Sequence, residues 1–207
     1  TGAIDEGPTS DGSTPYRGVA PDAWLVGVKV LDGSGSGSFE EVMRGMEWTI
    51  DNKIKYNIRA ASMSLGGPWL YDLTQEQEER ITQLANEMVA AGIALMIAAG
   101  NDGAYGTIGT PGAAKDVITV GATDDSKDLA PYSSKGPTYE GQIKPNVAAI
   151  GSSVNSVLAN TGNGYDEFSG TSMATPMVAG MAALLLQANP DLQPLMIRSI
   201  LETTAEY

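Results

Sequence analysis

Short apolar runs alternate along this chain with segments headed by helix-capping signals, and that alternation admits few folds. Trp24 to Leu31, WLVGVKVL, is Val-rich and reads as a buried strand. A Gly-Ser turn at 32–37 leads to Ser38-Phe39-Glu40-Glu41, a capping-box pattern that opens a helix to about Asn52. Ala60 to Leu65 reads as a short strand. Thr74 to Gln77 is a second capping box, and its helix runs to Ala91 with Gly92 as C-cap. Ile93 to Ala99, Val117 to Val120 and Val147 to Ile150 read as further strands. A long apolar helix from Ser172 to Ala188 stops at Asn189-Pro190. A last helix, Gln193 to Thr203, carries Leu195, Met196, Ile200 and Leu201 on one side. Residues 1–17, rich in Gly, Pro, Ser, Thr and Asp, read as a surface loop. The pattern predicts an α/β fold, a mostly parallel sheet with helices on both faces. Functional sites in such sheets sit in loops at the carboxyl ends of the strands. With no repeat, heptad or linker, residues 1–207 read as a single domain.

Composition narrows the function. The 12 basic and 25 acidic side chains leave a net charge of −13, which argues against a grip on nucleic acid or on an anionic membrane. No apolar run exceeds the roughly 18–20 residues that a membrane span needs, and none is expected to span one. Cysteine is absent, which excludes disulfides, thiolate nucleophiles and Cys-based zinc sites. Histidine is also absent, so the 207 residues contain no imidazole base and no His metal ligand. The N-terminus lacks the basic and apolar regions of a signal peptide and does not begin with Met. A piece of a longer chain is expected.

Three local constellations carry chemistry. In Gly170-Thr171-Ser172-Met173-Ala174-Thr175-Pro176, a serine stands in the first turn of an apolar helix, where free backbone amides favour developing negative charge. Ser172 could equally be a plain helix cap. In Ile97-Ala98-Ala99-Gly100-Asn101-Asp102-Gly103, the Asn101 amide at a strand end could donate to an oxyanion, or simply occupy a turn. In Ser62-Met63-Ser64-Leu65-Gly66-Gly67-Pro68, an extended edge followed by glycines could pair with a substrate strand, or be an ordinary strand-to-loop transition.

In this order and spacing the three motifs resemble the subtilisin-like serine proteases, the subtilases. The match continues through Tyr16 to Pro21, Val28 to Leu31, Val120 to Asp124 and Tyr132 to Pro137, and so covers nearly the whole chain. The resemblance implies a subtilisin-like three-layer fold and peptide-bond hydrolysis through an acyl-enzyme. It makes Ser172 the nucleophile, with Asn101 and the Ser172 backbone amide in the oxyanion hole. Ser64, Leu65 and Gly66 match the strand that pairs with substrate. Ala98, Ala99, Gly100 and Gly109 match positions around the primary specificity pocket, and their small size suggests a large hydrophobic or aromatic P1 side chain.

The chain also departs from the family. Subtilases use Asp, His and Ser in that chain order, and the Asp and His motifs of the family lie N-terminal to the segment matched here. Met177 stands where relatives usually have a non-catalytic His. Without a base, Ser172 is a weak nucleophile and the isolated chain is expected to be inert. The expected partners are a peptide or protein substrate, a separate N-terminal fragment carrying Asp and His, and an inhibitory propeptide. No nucleic-acid or membrane partner is expected, and the resemblance implies a secreted, extracellular protein. Trimming at the C-terminus is also open. The other class of reading is a catalytically silent subtilase fold that serves as a protein-binding module; the intact Ser172 and Asn101 favour the enzyme. A serine esterase of the α/β-hydrolase type is excluded because no Gly-x-Ser-x-Gly surrounds Ser172.

Lesser signals remain. Gly33 to Gly37 fails the dinucleotide-loop spacing because Ser38 stands at the third glycine position. No metal site is expected, and the chemistry needs no cofactor. Structural Ca²⁺ is left open at Asp5, Glu6 and Asp11, where a solvated acidic loop is the plainer reading, and near Asp124. Met173, beside the nucleophile, is an oxidation liability.

Overall fold

The computed structural model describes residues 4–8, 15–67, 74–161 and 164–206. Four parallel strands form its centre: β3 (Ala60–Met63), β4 (Ala94–Ala98), β5 (Ile118–Thr123) and β6 (Val147–Ile150), hydrogen-bonded in that order. Ala60 pairs with Ala94, Met96 with Ile118 and Val120 with Val147. All five residues of β4 are buried, which is why its sequence is continuously apolar and not alternating.

The period-2 alternation of β4 still sorts its side chains between two layers. Leu95 and Ile97 join Val42 and Met46 of α1 (Phe39–Tyr56) and Ile81, Leu84 and Met88 of α2 (Gln75–Ala90). Ala94 and Met96 join Ala174, Val178 and Ala182 of α3 (Thr171–Ala188) and Ile197 of α4 (Pro194–Thr204). The result is the expected three layers. Glycine brings α3 close to its surroundings: a Cβ on Gly180 would lie 2.6 Å from the Cβ of Val19.

Both predicted capping boxes form. Ser38 accepts from the Glu41 amide while the Glu41 carboxylate accepts from the Ser38 amide, and Thr74 and Gln77 repeat the exchange. Helix α1 runs four residues past the expected Asn52, to Tyr56, where Asn57 closes it in the left-handed conformation.

Three expectations need correction, and one element was not foreseen. Residues 1–17 are not all loop: β1 (Ile4–Pro8) and β2 (Pro15–Arg17) pair antiparallel, because strand pairing needs only backbone partners and no apolar pattern. Trp24 to Leu31 forms no strand, with Trp24 98% exposed and Leu25 63%. Among the described residues no strand lies beside it, although Val28 and Val30 rest on Gly45 of α1. Helix α4 turns Pro194 and Ile197 to the core, while Leu195 and Met196 are exposed. A hairpin of β7 (Val154–Val157) and β8 (Tyr165–Phe168) was not expected, since its residues show little apolar periodicity. Pro68 and Asp11 fall outside the described residues.

Candidate active site

The carboxyl ends of β3 and β4 meet the amino end of α3. Gly170 is the N-cap of α3, so Ser172 is its second helical residue, half-buried, at the positive end of the helix dipole. The amide of a residue in that position has no carbonyl one turn back inside the helix and is free to donate outward.

Pro176 sets the next feature. It has no N–H, so the carbonyl of Ser172, four residues earlier, loses its helical partner. The Ser64 hydroxyl donates to that carbonyl at 2.7 Å. In return the Ser172 hydroxyl lies 3.4 Å from the Ser64 carbonyl, a long contact that leaves Oγ little committed.

Asn101 follows β4 and is exposed. Its Oδ1 accepts from the Thr171 backbone amide at 2.9 Å and lies 3.0 Å from the Thr171 hydroxyl. A backbone amide can only donate, so the side-chain atom facing it must be the oxygen. That fixes the amide's orientation and leaves Nδ2 as a donor beside the start of α3. Thr171 also accepts from the Gly100 amide through its hydroxyl at 3.2 Å. Its side chain is fully buried, and it ties the two loops together.

The remaining predicted residues line up alongside. Ala98 and Ala99 are buried, and the Ala99 carbonyl accepts from the Gly109 amide at 3.3 Å. Gly67 and Thr110 exchange two backbone hydrogen bonds, at 3.1 and 3.2 Å. A Cβ on Gly109 would stand 2.6 Å from the Gly67 carbonyl oxygen, and one on Gly66 would stand 3.1 Å from the Thr110 oxygen. Glycine is therefore what lets the 64–67 and 109–110 walls approach. Ser64 touches Ser172, Gly100 touches Thr171, Ala99 touches Gly109, and Gly66 lies against Thr110.

Sequence reasoning assigned no role to Thr171, Ser134 or Tyr132. The Tyr132 hydroxyl bonds the Gly151 carbonyl at 2.9 Å, and the same carbonyl accepts from the Gly170 amide at 2.8 Å. Tyr132 and Ser134 sit inside one of the quoted motif stretches, which was the available signal.

The calcium expectation divides. The side chains of Asp5 and Glu6, and all of Asp11, lie outside what is described. One oxygen of the Asp124 carboxylate, Oδ1, is engaged by its own turn, accepting from the Ser126 amide at 2.9 Å and the Asp128 amide at 3.0 Å. Among the described residues no group of three or more acidic, His or Cys side chains converges on a metal-sized space.

Residues 2–207 match the Subtilase family, peptidase S8. Serine protease AprX of Bacillus subtilis (strain 168) is 42% identical over 92% of this chain and 48% of its own length. Subtilisin E of the same organism is 39% identical over 92% of the chain and 46% of its own length. Among solved structures, Sphericase superimposes with a TM-score of 0.81 at 34% identity, covering 95% of this chain and 64% of that one. A cold adapted subtilisin-like serine proteinase gives 0.77 at 34% identity, covering 91% and 62%. The chain spans about half the length of the two Bacillus relatives it matches.

Proposed function

The chain belongs to the subtilase family, and from that premise we propose that it is the serine-bearing part of a secreted serine endopeptidase. Ser172 Oγ attacks the scissile carbonyl carbon and passes its proton to a base. The carbonyl oxygen becomes an oxyanion that accepts from Asn101 Nδ2 and the Ser172 amide. Collapse expels the amine, which takes the proton, and leaves an acyl-enzyme on Ser172. Water, activated by the same base, then releases the acid product. Substrate backbone pairs along Ser64 to Gly66. The P1 side chain, large and hydrophobic or aromatic, enters between that strand and Ala98, Ala99, Gly100 and Gly109.

The observation that carries this reading is the Thr171 amide bond to Asn101 Oδ1, at 2.9 Å. It aims the one side-chain amide donor at the helix end that holds Ser172. The 207 residues contain no histidine. The base and its orienting Asp therefore come from a further N-terminal segment, and the activity belongs to the two together. Two features suit such a segment: among the described residues β3 is paired on one edge alone, and Trp24, Leu25 and Val26 at the start of the apolar run are exposed. An inhibitory propeptide would occupy the same substrate strand.

The test is hydrolysis of a chromogenic peptide with Phe at P1, by the chain alone and after co-expression with the Asp- and His-bearing segment of a relative. Turnover with the segment that is lost in Ser172→Ala supports the reading. The alternative, a silent subtilase fold that binds protein, rests on the missing histidine. It predicts peptide binding without turnover in both preparations.

A further inference from the structure

We propose that Ser134 is a positioning residue for the Asn101 side chain; this rests on the protease reading above. Ser134 is fully buried and lies 33 residues from Asn101 in sequence. It grips both neighbours of Asn101. Its backbone amide donates to the Gly100 carbonyl at 3.0 Å, and its hydroxyl accepts from the Asp102 amide at 3.2 Å. Gly100 has φ +108°, a conformation that favours glycine, and a Cβ there would stand 2.8 Å from Ser134 Oγ. The space a side chain would fill at Gly100 is occupied by the hydroxyl that holds the loop.

The strand of chain around Ser134 extends the same support. Lys135 donates from its backbone amide to the Ala104 carbonyl at 3.1 Å and from Nζ to the Gly103 carbonyl at 2.8 Å. One residue earlier, Ser133 Oγ accepts from the Ala122 amide of β5 at 3.1 Å, so this rail is anchored in the sheet. Asn101 is thus held at three points: Thr171 fixes its side-chain oxygen, and Ser134 fixes the backbone before and after it. Asn101 is itself exposed, so the direction of Nδ2 depends on the Thr171 bond to Oδ1 and on the backbone that Ser134 braces on either side. An oxyanion donor displaced by about 1 Å loses much of its value, because the stabilised charge exists only in the transition state.

The proposal predicts that Ser134→Ala, in the active two-part preparation, lowers kcat by about 10-fold to 100-fold with KM unchanged. In an Asn101→Ala background the same substitution has no further effect on kcat, since the donor it positions is gone. In the 207-residue chain alone, Ser134→Ala speeds amide exchange at Asp102 and shifts the Asn101 side-chain amide resonances. An equal kcat loss in both backgrounds, a loss expressed in KM, or unchanged Asn101 resonances overturns the proposal. If Ser134→Ala does not fold, Ser134→Thr decides. It keeps the hydroxyl, and a kcat loss with Asp102 protection intact contradicts the assignment. Should the two-part preparation hydrolyse nothing, the protease reading falls, and the resonance and exchange data still settle whether Ser134 holds Asn101.

Discussion

The Ser64 hydroxyl donates to the carbonyl of Ser172 at 2.7 Å, across 108 positions of sequence. Pro176 creates the opening for that bond by withholding the amide that a regular helix would supply. Ser64→Ala therefore replaces that bond with water at an exposed site and costs about 0.5–1 kcal/mol. Pro176→Ala restores an internal partner, so the double variant is less destabilised than the sum of the two. Urea midpoints for the four proteins measure the coupling.

Asn101→Asp separates the two ends of one side chain. A carboxylate keeps an acceptor for the Thr171 amide and removes the donor. The fold is retained, and kcat falls by about 10²–10³ with KM little changed, a magnitude that comes from subtilisin itself. Steady-state kinetics in the two-part preparation check it; a variant with normal kcat removes Asn101 from the oxyanion hole.

Gly151 is a packing requirement. A Cβ there would lie 2.7 Å from both the Ala122 Cβ and the Gly170 carbonyl oxygen, with backbone on one side that cannot give way. Gly151→Ala costs about 1–3 kcal/mol by overpacking and disturbs the cap of α3. Thermal unfolding followed by circular dichroism reads the loss directly.

Lys144 ties stability to pH. It is 4% exposed, and its Nζ donates to the Val117 carbonyl at 2.9 Å and to Asn146 Oδ1 at 2.8 Å. Burial first, and then the positive charge of Arg198, pull its pKa down to about 7, against the opposing pull of Glu202 and Asp116. The unfolded chain holds that proton up to about pH 10.5, so between pH 7 and 10.5 the unfolded state binds more protons. Stability therefore rises with pH across that window, by at most about 1.4 kcal/mol per unit from this group. Below pH 7 both states are protonated and the contribution is flat. Lys144→Met abolishes that part of the slope while lowering stability at high pH through the two acceptors it leaves. Urea midpoints at pH 7, 8, 9 and 10 test the difference in slope.

The parts of this fold that sequence revealed are those decided within a few residues. The capping boxes at Ser38 and Thr74 are settled three positions apart, and the continuously apolar Ala94–Ala98 reads as a buried parallel strand wherever it lies. Trp24 to Leu31 has the same character, yet whether it becomes a strand depends on a neighbour that composition does not report. The candidate site divides the same way. Ser172 and Asn101 were legible because each sits in a compact motif at a strand or helix end. Thr171 and Ser134 were not, because their bonds to the Asn101 loop span 70 and 32 positions and exist only after the sheet has brought the loops together. The glycines at 66, 67 and 109 were visible as residues, but their closeness to one another was not.

The central claim is that Ser172 becomes a nucleophile when an acid and base are supplied to this domain. The most direct measurement is labelling with a fluorophosphonate, read by intact mass and peptide mapping, on the chain with and without the Asp- and His-bearing segment. One adduct on Ser172, formed rapidly with the segment present and lost in Ser172→Ala, is the predicted result. No adduct in a folded two-part preparation, or an adduct that survives Ser172→Ala, contradicts it.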